Sequence, residues 1–311
     1  MSNAPVYVVL NVGSGHGDTE TTCRAISHEL AGRQHEILRV EDPQRLREIA
    51  RDAVLKAQRS KGIVVAAGGD GTLSAVAQAT LGSGCPFGVI PQGTFNYFGR
   101  AHGIPADAAL ATRALLSARV IPVQVGQMNE HLFLVNASLG MYPQSLEDRE
   151  EQKALHGRSR FVAAWAALVT IFRGYRPRRM KLEHDGRTQE LRTLTLFVGN
   201  NRLQLEQIGL HDAHCVDEGK LVAIVLQPVP ALALLWLAAQ GAMRELEGAR
   251  GVQHFPFTCL VVTPSNPRVQ YLKVAADGET LVMKPPIEFR ISPEPLLLLQ
   301  PIDATPESTL G

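Results

Sequence analysis

The stretch Ala66-Ala67-Gly68-Gly69-Asp70-Gly71-Thr72 decides the fold of the first third of the chain. An apolar run over residues 62–67 leads directly into glycines, an aspartate and a threonine, and a helix-like segment follows. Glycines let the backbone approach an anion closely, and the first turn of a helix offers free N–H groups at its positive end. The stretch therefore predicts a phosphate-binding loop, at the position where open α/β sheets bind ligands.

Strand-like and helix-like segments alternate around this loop. The strand-like runs cover residues 6–11, 35–40, 62–67 and 87–90, and the helix-like runs cover residues 19–31, 43–59 and 73–80. Such alternation predicts a doubly wound sheet with helices on both faces. We assign this α/β domain to residues 1–124.

The pattern changes after residue 124, where strand-like stretches dominate. They cover residues 131–137, 179–184, 192–199, 221–226, 257–262 and 287–291, with turn signals between them and only two helical segments, near 159–172 and 231–247. This pattern predicts a second, mostly antiparallel domain over residues 125–311. The extreme C-terminus is a candidate to pack back on the first domain.

Composition excludes several classes of protein. The 31 basic and 30 acidic residues nearly cancel, which gives no reason to expect a nucleic-acid partner. The four cysteines form no CxxC pair, as is typical of thiols in a reducing cytosol. The longest apolar stretch, residues 229–239, is only about half the roughly 20 residues that a membrane span needs. We expect a cytoplasmic protein that does not cross a membrane.

Two further loops follow strands of the first domain. Asn11-Val12-Gly13-Ser14-Gly15 follows the first strand, and Pro91-Gln92-Gly93-Thr94-Phe95-Asn96 follows the strand at 87–90. Either loop alone could be an ordinary turn. Because the ends of parallel strands meet at one edge of a sheet, the three loops together predict a nucleotide pocket.

These motifs resemble the diacylglycerol kinase catalytic domain. The run from Gly68 to Thr72 looks like the signature shared by diacylglycerol kinases, sphingosine kinases and NAD kinases. The loop 11–15 resembles that family's Asn-Pro-x-Ser-Gly opening, and the loop 91–96 is similar to its Pro-x-Gly-Thr-x-Asn motif. The order and spacing match, as does the later turn 277–279. The resemblance favours the compact bacterial lipid kinases. It implies a nucleotide-binding α/β domain, a β-sandwich second domain and an active site in the cleft between them.

The resemblance implies an ATP-dependent lipid kinase that converts a diacylglycerol-like lipid into a phosphatidic-acid-like product with Mg²⁺. An acid at Asp70, beside a phosphate site, makes sense if it holds Mg²⁺ or takes a proton. A general base is implied in the Asp277-Gly278-Glu279 turn, and the sequence does not choose between the two acids. The turn could also be a plain hairpin. The predicted nucleotide-binding residues are Asn11, Ser14, Gly15, Gly68, Gly69, Asp70, Gly71, Thr72, Leu73, Ser74, Gly93, Thr94 and Asn96.

A structural Mg²⁺ is implied by the segment 212–221, which resembles the family's Asp-Gly-x-Leu element. Its ligands would be the backbone oxygens of Cys215 and Lys220 and the carboxylate of Glu218. The alternative is a solvated acidic loop. The His211-x-x-His214-Cys215 spacing could suit zinc, but no second ligand pair completes a zinc site.

Membrane contact is suggested by a basic cluster, residues 158–181, that flanks the apolar helical segment 159–172. Such a cluster suits an anionic membrane surface, at about 1 kcal/mol per basic residue, and predicts transient peripheral association. The alternative is a core helix with solvated charges. The sequence leaves open whether the protein forms a homodimer.

The chain departs from the family pattern at Ser74-Ala75, Tyr97 and Tyr142. An NAD kinase-like enzyme, or a weakly active or non-catalytic lipid- or nucleotide-binding relative, therefore remains the alternative function. No Walker A sequence occurs, so a P-loop kinase is not expected.

Overall fold

The computed structural model describes residues 4–13, 19–139, 177–228 and 251–302. The chain divides into two compact units. The first comprises residues 1–125, 131–135 and 292–311, and the second comprises residues 126–130 and 136–291. The chain thus passes to the second unit and returns to the first near its end.

The first unit is built on a sheet of six strands. They are β1 (Val6–Asn11), β2 (His35–Val40), β3 (Ile63–Gly68), β4 (Phe87–Pro91), β5 (Arg119–Val123) and β18 (Leu296–Gln300). Their order in the sheet is β2-β1-β3-β4-β18-β5. All neighbours pair in parallel except β18 and β5, which are antiparallel. Every residue of β3 is buried, as expected for a central parallel strand covered on both faces.

The helices of the first unit are α1 (Thr19–Glu29), α2 (Leu46–Ser60), α3 (Asp70–Thr80), α4 (Tyr97–Ala101) and α5 (Ala108–Leu116). The predicted helix 43–59 begins with a 3₁₀ turn, Pro43–Arg45, in which Asp42 caps the N–H of Gln44. The predicted strand 131–137 is in fact two strands, β7 (His131–Phe133) in the first unit and β8 (Asn136–Leu139) in the second. The break falls at Leu134 and Val135, directly before the polar Asn136.

The second unit contains two antiparallel sheets. Besides β8, their strands are β6 (Gly126–Met128), β9 (Arg178–His184), β10 (Arg187–Thr193), β11 (Thr195–Gly199), β12 (Leu221–Leu226), β13 (Val252–Phe257), β14 (Cys259–Pro264), β15 (Leu272–Ala276), β16 (Glu279–Met283) and β17 (Ile287–Ile291). The strands of this unit follow the order β10-β9-β14-β17-β6 in one sheet, which β7 extends to six strands, and the order β13-β12-β11-β8-β15-β16 in the other. A short helix, α6 (Arg202–Gln207), and a 3₁₀ turn, His211–Val216, follow β11.

The predicted fold class, a parallel α/β unit followed by an antiparallel β unit, is confirmed. The two helices predicted at 159–172 and 231–247 lie outside the described residues. Across the part of the chain that is described, no helix has both the length and the apolar character needed to span a membrane.

Candidate functional site

Three loops of the first unit meet at one edge of its sheet. Strands β1, β3 and β4 are parallel neighbours, so their carboxyl ends lie side by side. Gly68 at the end of β3 pairs with Pro91 at the end of β4. The N–H of Gln92 then donates to the carbonyl oxygen of Gly68 at 2.8 Å. The predicted loops 66–72 and 91–96 are therefore joined through their backbones.

The glycines of these loops are required by space. A Cβ atom added to Gly93 would lie 2.9 Å from the Cα of Gly69. One added to Gly68 would lie 2.6 Å from the Cβ of Thr72. Contacts this short force the backbone apart. The two loops can approach each other closely because Gly93 lacks a side chain, and Gly68 leaves the space that the side chain of Thr72 occupies.

Asn11, Thr72 and Asn96 brace the loops. The side-chain amide of Asn11 donates to the hydroxyl of Thr72 at 2.8 Å, and its carbonyl oxygen accepts from the N–H of Gly13 at 3.0 Å. Asn96 adopts the left-handed conformation, with φ of 49°, and its side chain accepts from the N–H of Gly93 at 2.8 Å. These three predicted nucleotide-binding residues thus also hold the loops in shape.

Asp70 is the first residue of α3, and its carboxylate is mostly buried. Burial raises its pKa above the ordinary value, while the backbone N–H groups of Phe98 and Tyr97 and the charge of Arg100 act in the opposite direction. The Oδ1 atom is buried without a hydrogen-bond partner among the described residues. One oxygen of this carboxylate is therefore left to interact with a cation or a donor from a ligand.

The remaining predicted residues of the first unit differ in their surroundings. Thr94 is exposed, whereas Leu73 is fully buried, so Leu73 could contact a ligand only through its backbone. The hydroxyl of Ser74 donates to the carbonyl oxygen of Leu132 at 3.4 Å. Gly69 and Gly71 lie partly exposed in the loop. Ser14 and Gly15 lie outside the described residues.

Sequence reasoning did not single out an aromatic and cationic group beside these loops. The ring of Tyr97 is buried and stacks on Phe95, with centroids 5.6 Å apart and planes at 7°. The guanidinium carbon of Arg100 lies 5.8 Å from the Tyr97 ring centroid. Burial raises the pKa of Tyr97. The three-residue spacing of Tyr97 and Arg100 within a helix is a signal that could have identified this pair.

The turn that carries Asp277 and Glu279 is a hairpin in the second unit. Ala276 pairs with Glu279, so Asp277 and Gly278 form a two-residue loop, with φ of 45° and 88°. The N–H of Asn136 donates to Oδ1 of Asp277 at 2.9 Å, and the N–H of Asp277 donates to the carbonyl oxygen of Asn136 at 2.9 Å. Asp277 is only 7% exposed, whereas Glu279 is exposed. The two candidate bases therefore lie in different environments.

The three residues predicted to hold a structural Mg²⁺ lie within one turn, and two of the predicted ligand groups, the Cys215 carbonyl and the Glu218 carboxylate, already make hydrogen bonds. The backbone oxygen of Cys215 accepts from the N–H groups of Glu218 and Lys220, both at 3.1 Å. The Lys220 ammonium donates to the Glu218 carboxylate at 2.9 Å, and this hydrogen bond lowers the pKa of Glu218. Among the described residues no cluster of His, Cys, Asp and Glu could hold a metal ion. Such a cluster would consist of side chains only, whereas two of the three predicted Mg²⁺ ligands are backbone oxygens, so the Mg²⁺ assignment stays a prediction.

The fold and the loops define a class: a parallel α/β unit with glycine-rich loops at one edge of its sheet, followed by an antiparallel β unit. Residues 5–128 match the family model described as the diacylglycerol kinase catalytic domain. This segment is similar to that family, in agreement with the resemblance seen in its motifs.

Curated relatives carry the same description, and solved structures share the fold. The chain is 30% identical over 185 residues to the diacylglycerol kinases of Staphylococcus aureus strains JH9 and Newman. The match spans 57% of this chain and 57% of each relative. The crystal structure of a diacylglycerol kinase from Bacillus anthracis strain Sterne matches 97% of this chain and 98% of its own, with a TM-score of 0.69 and 18% identity. Another solved chain from that strain reaches a TM-score of 0.76 at 19% identity. At this identity the structures support the fold.

Proposed function

We propose that this protein is an ATP-dependent lipid kinase that phosphorylates the hydroxyl of a diacylglycerol-like lipid, giving a phosphatidic-acid-like product. The observation that carries the proposal is the contact between the loops 66–72 and 91–96, where the backbones of Gly69 and Gly93 pack against each other. Such loops expose N–H groups to an anion. The name of the staphylococcal relatives, diacylglycerol kinase, supports the choice of acceptor.

The first unit has features that fit the phosphates of ATP and an accompanying Mg²⁺. The glycine backbones suit phosphate oxygens, and the unpartnered Oδ1 of Asp70 is the kind of hard oxygen that Mg²⁺ prefers. When bound, Mg²⁺ would neutralise charge on the transferred phosphate. In this proposal Asp70 holds the cation, and the run from Gly68 to Thr72, together with Gly93 and Thr94, orients the phosphates.

The second unit supplies the general base in this proposal. A lipid hydroxyl must lose its proton as it attacks, and a fixed carboxylate can accept it. Asp277 is the better candidate because the Asn136 N–H and the hairpin conformation fix its carboxylate. Glu279, which is exposed on the strand β16, is the alternative. Substitution of each residue by its amide distinguishes the two.

A lipid-panel assay tests the function. Purified protein, Mg²⁺ and γ-labelled ATP are incubated with diacylglycerol in mixed micelles, with other hydroxyl lipids and with NAD. We expect label in the lipid fraction, with diacylglycerol as an acceptor. Label in NADP would support the NAD kinase alternative instead. The absence of label in every acceptor would favour a non-catalytic binding protein.

We also propose that the protein meets its substrate by peripheral contact with an anionic membrane. Within the described residues, Arg178, Arg179 and Lys181 of β9 are exposed, although Lys181 also pairs with Glu183 at 2.8 Å. The part of the basic cluster before residue 177 lies outside the described residues. Exposed charges act over about 8 Å at physiological salt, so co-sedimentation with anionic vesicles should fall as salt rises. Co-sedimentation that ignores both salt and anionic lipid content would contradict this contact.

A further inference from the structure

Two buried polar atoms without partners lie in the glycine loops. Among the described residues, three buried side-chain atoms lack a hydrogen-bond partner: Oδ1 of Asp70, Nε2 of Gln92 and Oε1 of Gln127. Folded proteins satisfy nearly all such atoms, so each exception requires an explanation. Asp70 and Gln92 follow the neighbouring strands β3 and β4. Two of the three unsatisfied atoms therefore belong to loops at the same edge of the sheet.

The backbone around Gln92 is fixed, although its side-chain amide is not satisfied. Its N–H donates to the carbonyl oxygen of Gly68 at 2.8 Å, and the next N–H, that of Gly93, donates to Asn96 at 2.8 Å. The side-chain amide of Gln92 therefore extends from a loop whose backbone is held by hydrogen bonds. A donor held in this way loses little freedom when a ligand binds.

The two unsatisfied atoms have opposite polarity. The side-chain nitrogen of Gln92 can only donate, and a carboxylate oxygen such as Oδ1 of Asp70 accepts or binds a cation. A phosphate group accompanied by a cation offers an acceptor to the first and a positive charge to the second.

We propose that Gln92 is a ligand-contacting residue whose side-chain amide donates a hydrogen bond to a phosphate oxygen of the bound nucleotide. This proposal rests on the proposed function and adds a contact at a variable position of the Pro-x-Gly-Thr-x-Asn motif. The competing explanation is an ordered water that satisfies the amide. The two explanations predict different effects on stability. Loss of a water-bridged amide would lower stability and leave nucleotide affinity unchanged. Loss of an amide that is unsatisfied in the free protein would leave stability equal or higher, because its desolvation penalty disappears.

The experiment compares the full chain with Gln92→Leu and Gln127→Leu. The dissociation constant of ADP is measured by calorimetry in Mg²⁺, and the melting temperature is measured without nucleotide. We expect Gln92→Leu to bind ADP about tenfold more weakly, since a hydrogen bond to a charged group is lost, with an equal or higher melting temperature. Gln127→Leu removes a side-chain amide in β6 whose oxygen, rather than its nitrogen, is unsatisfied, and it should leave ADP affinity unchanged.

Adenosine provides the second measurement because it lacks phosphates. Its affinity should be the same in all three proteins. If Gln92→Leu fails to fold, Gln92→Glu keeps the shape, removes the donors, and should weaken ADP by more than tenfold through repulsion. ADP affinity equal to that of the unmodified chain in the Gln92 variants would overturn the proposal, as would a lowered melting temperature with ADP affinity unchanged. If the unmodified chain itself does not bind ADP, the nucleotide function fails and this contact with it.

Discussion

The dipeptide Asp-Gly occurs three times among the described residues, in two structural settings. Asp70-Gly71 opens the helix α3 after a buried parallel strand. Asp185-Gly186 and Asp277-Gly278 are both two-residue hairpin loops with positive φ at both residues. The dipeptide alone therefore does not determine its role. The strand pattern before it separates a phosphate loop from a hairpin.

The two hairpins differ in what their aspartates contact. The side chain of Asp185 is 59% exposed and lies 3.3 Å from the ring of His184. Asp277 is 7% exposed and binds the N–H of Asn136. Equal backbone geometry with unequal burial makes Asp185 a matched control for the proposed base.

The largest effect is expected at Asp70. Asp70→Asn keeps the shape of the side chain but removes the charge that holds a cation in the proposed mechanism. Lipid phosphorylation should fall to the background of a reaction without enzyme, while circular dichroism stays unchanged. Turnover comparable to that of the unmodified chain would remove Asp70 from the mechanism.

The next largest effect is a difference in kcat between substitutions in the two hairpins. Asp277→Asn should lower kcat by about 10²–10⁴-fold because a general base is lost, with ADP affinity little changed. Asp185→Asn should leave kcat within about twofold, since its carboxylate is a solvated surface group. Glu279→Gln should cost less than Asp277→Asn. The reverse order would assign the base to Glu279, and near-normal kcat in both variants would exclude this turn from the chemistry.

A smaller effect is expected from the hairpin glycines. Gly186 and Gly278 have φ of 70° and 88°, and a methyl group added to either would meet no other atom within 4 Å. An alanine at either position should therefore cost about 1–2 kcal/mol of unfolding free energy, from backbone strain alone. Denaturant unfolding should give similar losses for Gly186→Ala and Gly278→Ala. Only Gly278→Ala should also lower kcat, because it moves Asp277; equal kcat losses in both variants would point to a general loss of fold.

The smallest effect concerns pH. Burial raises the pKa of Asp70 in the folded chain above its ordinary value of 3.8. The folded state therefore binds this proton more tightly than the unfolded state does. The stability that the folded state gains from binding this proton is fully present below pH 3.8 and is lost as pH rises through the folded pKa. The stability of Asp70→Asn relative to the unmodified chain should rise over that interval in denaturant titrations. A difference that does not change with pH would mean that this carboxyl is not desolvated.

Local patterns predicted most of the first unit. Strands β1 and β3 and the helix α2 follow directly from apolar runs and helical spacing in the sequence. The helix α4 was not predicted because five residues are too few to show a helical period. Strand β18 joins the first sheet from the far end of the chain, and such a pairing depends on tertiary contacts.

The candidate site likewise has features that local sequence predicts and features that only tertiary contacts determine. The glycine loops were predicted because their residue types are local and their strands parallel. The amide of Gln92 and the N–H groups that Asp70 faces were not predicted, because burial and partner choice arise only when β3 and β4 lie side by side. The hydrogen bonds to the backbone oxygen of Cys215 were not predicted for a related reason, since every residue has a carbonyl group and the sequence does not show its partner.

Hydrogen–deuterium exchange tests the central claim, that the loops 66–72 and 91–96 hold the nucleotide. The full chain is labelled with and without ADP and Mg²⁺, and peptides are compared along the sequence. We predict slower exchange in peptides that cover residues 66–76 and 91–98, and weaker protection in Asp70→Asn. Exchange that stays unchanged in both peptides under saturating ADP, or protection confined to the second unit, would contradict the account.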